Sequence, residues 1–364
     1  MPDNSLSRRL FMAAAAAAPA APVLLASDRI AIFDPPPDRV RIAVAEASFV
    51  VPPPAYTPAE IQQIKSASSG KPIEFIHTSS LEELYKVLPD ADVVFGALNP
   101  EMLSRAKNLR WLQAIEAGME KVLFPELVKS NVVVTNMARM FAPGLGDTAM
   151  AMLLSLTRGL QKTYIPQFEN RLWKRDFKQV ELAGMTVGIS GLGGIGSAVA
   201  TRAHYGFDMR IVATDAKPMA KPIYVDTLRE PGWFMEMVPQ VDVLVCATPW
   251  TKQTEGMFNE KVFRSMKKTA YFLNMSRGPL VEEKALVAAL KEGWIAGAGL
   301  DAVYPEPYPT TGAYWECPNL VLTQHTGGFS PGRQIRLMGL LAENVRRYTS
   351  GLPLMNVVDK QRGY

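Results

Sequence analysis

Cysteine is nearly absent from this sequence. Cys246 and Cys317 are the whole complement of 364 residues, too few for a disulfide framework. No CxxC or Cys/His cluster offers the ligands of a structural zinc site, so no metal is expected. Histidine is almost as scarce: His77, His204 and His325 are the only three, so any acid–base imidazole must be one of them. A basic run with interleaved aromatics is missing too. The net charge is +4, with Lys and Arg scattered along the chain, which argues against a nucleic-acid partner. What is present is an ordinary globular balance, 48% hydrophobic and 20% charged, in a chain long enough for two domains with separate cores.

Residues 1–27 stand apart. Arg8-Arg9 precede Leu10-Phe11 and an Ala-rich stretch without charge until Asp28, with small residues such as Ala18-Pro19-Ala20 that a peptidase could cleave. This resembles a twin-arginine export signal, which carries folded proteins to the periplasm. A membrane-spanning helix is the competing reading. It needs about 20 strongly apolar residues, and Ala and Pro supply too little hydrophobicity. A plain Ala-rich tail on a cytoplasmic protein is the remaining alternative.

Beyond about residue 39, short apolar runs alternate with helical spacing. Strands are expected at 40–45, 73–76, 92–97, 109–115 and 132–134, with helices at 58–68, 81–88 and 100–106. Such alternation argues for a parallel sheet with helices on both faces. A long apolar helix is expected from 144 to 160, buried in the core or at a subunit interface. A second alternating set runs from about 186 to 322. A final helix at 335–348 would return to the first domain.

The second set opens on a strand ending in Gly191-Leu-Gly193-Gly194-Ile195-Gly196. GxGxxG alone is weak evidence, but between a strand and a helix it acquires a mechanism. The glycines permit a tight turn and a close backbone approach to a pyrophosphate, which the helix N-terminus then faces with free N–H groups. Asp215 ends the next strand about 20 residues on, placed to hydrogen-bond the adenosine ribose. A carboxylate there repels a 2′-phosphate, favouring NAD over NADP; nearby Lys217 softens that preference.

Further motifs follow in order: Ala247-Thr248-Pro249, Thr254, Asn274-Met275-Ser276-Arg277-Gly278, Asp301, Glu306-Pro307, and Leu322-Thr323-Gln324-His325. On these the chain resembles the D-isomer-specific 2-hydroxyacid dehydrogenase family, from about residue 39 to the C-terminus. The resemblance implies an α/β protein with two doubly wound, Rossmann-like parallel-sheet domains and an active site in the cleft between them. The substrate domain would be discontinuous, 39–140 plus 330–364, with the NAD-binding domain at 141–329. The reaction implied is hydride transfer between NAD and C2 of a small 2-oxo or 2-hydroxy acid.

Catalytic roles fall to three residues. Arg277 presents a forked cation suited to a carboxylate and a C2 oxygen, and His325 matches the general acid–base. Glu306 matches the carboxylate that orients the imidazole and favours its protonated form. The loop Ala117-Gly118-Met119 resembles the substrate loop, whose backbone N–H groups bind the carboxylate beside Arg277 and His325. Cofactor contacts are implied for Thr248, Pro249, Thr254, Met275, Arg277, Asp301, His325 and Gly328, beyond the glycine loop and Asp215. The 144–160 helix resembles the family's dimerisation helix, so a homodimer is expected.

Several departures bear on substrate and cofactor affinity. Gln324 stands where the family usually has Pro, Gly194 where it often has Arg, and Asp147 where it often has Glu. Met119 is also unusual after the loop glycine. Two alternatives share the fold: formate- or phosphite-type dehydrogenases, of which the formate branch lacks the Glu–His pair, and non-catalytic NAD-binding regulatory relatives.

Overall fold

The computed structural model describes residues 37–45, 56–317 and 319–364. The leader expected over 1–27 lies outside the described residues. Among the described residues no helix is long and apolar enough to cross a membrane.

Two parallel sheets organise the chain. The first has five strands, β1 Val40–Ala45, β2 Ile73–Thr78, β3 Val93–Phe95, β4 Trp111–Gln113 and β5 Val133–Thr135. They lie in the order β2-β1-β3-β4-β5. Short helices connect them: α1 Pro58–Ser66, α2 Leu81–Val87, α3 Pro100–Arg105 and α4 Pro125–Lys129. Their starts are set by caps, including a Thr57/Glu60 capping box on α1 and Ser80 and Asn99 on α2 and α3.

The chain then enters α5 Ala142–Thr157, a π turn at Leu160–Tyr164 and α6 Ile165–Glu169 before the second sheet. That sheet has seven strands, β6 Thr186–Ser190, β7 Arg210–Thr214, β8 Thr227–Arg229, β9 Val243–Cys246, β10 Tyr271–Asn274, β11 Gly297–Leu300 and β12 Leu320–Leu322. Their order is β12-β11-β10-β9-β6-β7-β8. Helices α7 Gly194–Phe207, α8 Phe234–Met237, α9 Glu260–Ser265 and α10 Glu283–Lys291 lie between them. The inner strands β9, β10 and β11 are buried along their whole length, as expected of strands covered on both faces.

The last helix, α11 Pro331–Thr349, packs back on the first sheet. Leu337, Met338, Leu341, Val345 and Tyr348 share a core with Val40, Ile42, Phe95 and Trp111. A buried polar chain reinforces this return. The Trp111 indole N–H donates to Thr135 Oγ1 at 2.7 Å, and that hydroxyl donates to Gln113 Oε1 at 2.8 Å. Asn344 Nδ2 of α11 donates to the same oxygen at 3.1 Å.

The elements differ from the sequence-based expectation mainly at their ends. The 144–160 helix starts at Ala142, with a proline in its first turn, and stops at Thr157 just before Gly159 in the left-handed conformation. The final helix begins at Pro331 rather than 335. Helix α4 and strand β8 were not expected. Each is no more than five residues, too short to show a period.

Candidate active site

In the second sheet, consecutive strands step outward from β6 in both directions, so β6 and β9 flank the point where the winding reverses. In such sheets that point opens a crevice at the carboxyl ends of the strands. Gly191 leaves β6 with φ 89°, and a Cβ there would lie 2.7 Å from Ala247 O, so the turn requires glycine. A side chain at Gly196 would collide with the Gly191 carbonyl, whereas nothing lies within 4 Å of a Cβ at Gly193. Gly194, Ile195 and Gly196 form the first turn of α7, whose N–H groups have no partner within the helix. Asp215, just past β7, is tied to this loop. Its Oδ2 accepts the Leu192 N–H at 2.7 Å and its Oδ1 accepts the Lys217 N–H at 2.8 Å.

The opposite wall follows β9. Thr248 Oγ1 lies 2.7 Å from Ser190 Oγ, and Ser276 Oγ donates to Thr248 O at 2.5 Å. Thr254 Oγ1 donates to Pro249 O at 2.7 Å, closing the turn after β9. These residues form a continuous backbone rim with an open cradle above Gly193, a shape and donor set that fit a nicotinamide dinucleotide. Met275 belongs to that wall by its backbone only. Its side chain is buried in the core below, and its N–H donates to Cys246 O at 3.0 Å.

At the end of β10, Arg277 reaches across to the first sheet. Its Nε donates to Glu120 Oε1 at 2.7 Å and its Nη1 to Ser276 O at 3.0 Å. The guanidinium also lies against Gly118, where any side chain would collide with Arg277 Nη2 and the Glu120 carboxylate. Met119 turns its side chain into the first-sheet core, and Ala117 O accepts a hydrogen bond from Asn136 Nδ2 at 2.8 Å. Thus Gly118 offers bare backbone beside the arginine. A Gly118→Ala variant should lose about 10²-fold in kcat/KM for an anionic substrate, from displacement of the arginine. Its melting temperature should stay at the parent value, because this backbone needs no left-handed φ.

His325 stands on the loop between β12 and α11. Its Nδ1 lies 2.9 Å from Glu306 Oε2 and 3.1 Å from Oε1, leaving Nε2 as the nitrogen not engaged by the carboxylate. The loop carrying it is anchored by Asp301, which is buried at the end of β11. Asp301 O accepts the His325 N–H at 2.8 Å, while its Oδ1 accepts Thr323 Oγ1 at 2.6 Å and the Gly327 N–H at 3.0 Å. Gly328, the next residue, packs against Phe141, and a Cβ there would lie 3.1 Å from the Phe141 Cβ. Asp301 therefore anchors the loop through its backbone oxygen and Oδ1.

Burial works to raise the Glu306 carboxyl. The hydrogen bond and charge of His325, the Val303 N–H and Arg277 outweigh it and hold the group below the usual carboxylate range. A carboxyl lowered in the folded state contributes stability above its ordinary value of 4.5, and that contribution is lost as pH falls through the lowered value. The melting-temperature gap between Glu306→Gln and the parent should accordingly be open above pH 5 and close in more acidic buffer. The same variant should lose about 10²-fold in kcat.

The other two histidines lie elsewhere. His77 packs against Tyr56 and Phe75 on β2, and His204 on α7 faces Met209 O. Sequence reasoning missed two acids in the loop around Gly118. Glu120 holds Arg277, and Glu116 is carried upward by burial, its neighbour Glu120 adding to the shift. Only their position around Gly118 could have flagged them.

With this geometry in place, comparison with known proteins is specific. The family description "D-isomer specific 2-hydroxyacid dehydrogenase, NAD binding domain" matches residues 150–327. A glyoxylate reductase from Thermococcus kodakarensis is 34% identical over 293 residues, covering 77% of this chain and 86% of that one. A glyoxylate/hydroxypyruvate reductase B from Yersinia enterocolitica is 28% identical over 84% of this chain and 95% of its own. Among solved structures, an NADPH-dependent glyoxylate/hydroxypyruvate reductase from Sinorhizobium meliloti, in complex with NADP and sulfate, superposes with TM-score 0.73. It is 24% identical, covering 90% of this chain and 100% of that one, a likeness of fold.

Proposed function

Because this chain belongs to the D-isomer-specific 2-hydroxyacid dehydrogenase family of oxidoreductases, we propose that it reduces glyoxylate, hydroxypyruvate or a similar small 2-oxo acid to the corresponding 2-hydroxy acid, of D configuration where C2 is a stereocentre, with NADH as cofactor. The observation that carries this reading is the convergence of three groups from distant parts of the chain. Arg277 lies against the bare backbone of Gly118, and its charge acts on Glu306, which in turn holds His325 Nδ1. The relatives named above as glyoxylate reductases support the size of the acid.

In this reading Arg277 and the Gly118 loop hold the carboxylate, and the guanidinium also faces the C2 oxygen, where negative charge grows. His325 Nε2 delivers a proton to that oxygen, and Glu306 steadies the resulting change of charge on the ring through Nδ1. The bound nicotinamide supplies the hydride. Residues of the cradle, from Gly191 to Gly196 with Thr248, Pro249 and Thr254, would hold the dinucleotide. Asp215 would accept the ribose hydroxyls, which favours NAD over NADP. NADH and NADPH oxidation by leaderless protein, assayed against glyoxylate, hydroxypyruvate, pyruvate and phenylpyruvate, tests this. NADH binding without turnover on any of them would transfer the protein to the non-catalytic class.

We also propose a homodimer built on α5 and α7. An apolar groove between them is lined by Met150, Ala151, Leu154 and Tyr205, and the segment after α5 exposes Phe168 and Trp173. Light scattering should give twice the chain mass, and a monomer would sink this part. Periplasmic location through residues 1–27 is the remaining proposal; cell fractionation showing only cytoplasmic protein would end it.

A further inference from the structure

Arg139 lies in the segment that leaves the first sheet for α5, and its backbone sits in the left-handed region at φ 74°. That conformation is unfavourable for a residue with a Cβ, and Arg lacks the short local hydrogen bond by which Asn or Asp offsets it. Its guanidinium has neither an ion-pair nor a hydrogen-bond partner among the described residues. Other arginines around the cleft differ: Arg277 donates to Glu120, Arg202 to Asp147, and Arg336 to Met140 O. No ion pair or side-chain hydrogen bond among the described residues therefore holds this exposed arginine in its left-handed backbone.

Its neighbour across the cleft is the glycine loop. A Cβ on Gly194 would lie 2.9 Å from both the Cα and the Cγ of Arg139. Arg139 thus rests directly on the first turn of α7, and residue 194 must be glycine to admit it. The side chain starts beside the outward-facing N–H groups of Gly194, Ile195 and Gly196, at the positive end of the helix. Two positive poles held side by side oppose each other unless an anion joins them, and a diphosphate satisfies both.

We propose that Arg139 is a cofactor-binding residue whose guanidinium pairs with the pyrophosphate of the dinucleotide. This rests on the reading of Gly191–Gly196 as the dinucleotide loop. The cation comes from the segment joining the two sheets, so cofactor binding fastens that segment to α7.

The test measures affinity for NADH, ADP-ribose and adenosine by calorimetry, in the parent, Arg139→Asn, Arg139→Gly and Arg139→Lys. Asn and Gly accept the left-handed backbone, so both variants should melt no lower than the parent. Both should bind NADH and ADP-ribose about 10- to 100-fold more weakly, in line with loss of a charge-assisted hydrogen bond. Adenosine should bind unchanged and Lys should fall between. The KM for the 2-oxo acid at saturating NADH should stay at the parent value. NADH affinity within twofold of the parent in Asn and Gly would overturn the proposal, as would an equal loss for adenosine or a rise confined to the 2-oxo acid KM. A parent that binds neither NADH nor ADP-ribose would instead overturn the dinucleotide loop itself.

Discussion

His325→Asn is expected to cut kcat by about 10³-fold, within the range that a positioned general acid contributes, while NADH affinity stays near the parent value. Asn is the informative replacement because residue 325 has φ 55°, a conformation Asn tolerates better than Ala does. Its backbone N–H can keep its bond to Asp301 O, so the loop that carries it should hold its course. What is lost is the ring nitrogen that Glu306 leaves unengaged. Stopped-flow measurement of NADH oxidation at saturating substrate checks this. A variant retaining a tenth of parental kcat would show that another group, or water, delivers the proton.

Arg277→Ala should be more damaging in kcat/KM, because it acts on both terms. Loss of a charge-assisted contact to the carboxylate raises KM by about 10- to 100-fold. Loss of a donor aimed at the growing charge on the C2 oxygen lowers kcat by about 10²- to 10³-fold. The geometry adds a complication that the measurement can resolve. Glu120 accepts from Arg277 Nε at 2.7 Å, and without the arginine its carboxylate would face an incoming anion. Arg277→Ala with Glu120→Gln should therefore recover part of the KM loss and none of the kcat loss. Arg277→Lys should retain charge without the fork and fall between. Unchanged kinetics in Arg277→Ala would remove this residue from the site altogether.

Glu120 also shows what a sequence can and cannot reveal. The glycine loop was legible because all its determinants are local: a strand, a glycine turn and a helix start within 21 residues, Thr186 to Gly206. Arg277, Glu306 and His325 were legible through their order and motif context. The partner of Arg277 was not, since Glu120 lies 157 positions away and only its place two residues after Gly118 sets it apart from a surface acid. The same holds for Asp301. The resemblance placed it near the nicotinamide; its Oδ1 also accepts from Thr323 and Gly327, a pairing set by how β11 and the following loop stack. Met119 and Met275 were expected beside the substrate and the cofactor. Which way their side chains turn, into the core, depended on packing that only the assembled sheets decide. Arg139 carried no motif at all; its meaning comes from a backbone angle and from a glycine on another strand-helix unit.

The chain crosses between the two sheets twice, once before α5 and once before α11, and the two crossings touch. A Cβ at Gly144 would lie 2.7 Å from Gly327 O, Gly328 packs on Phe141, and Arg336 donates to Met140 O at 2.9 Å. Adjacent crossings of this kind act as a single axle. They constrain any relative displacement of the halves to rotation about one line and resist shearing. His325 sits two residues from that line, near the axis of any such rotation. Gly118 and Glu120 lie on the opposite half, so the 2.7 Å contact between Glu120 and Arg277 is where a rotation would be felt.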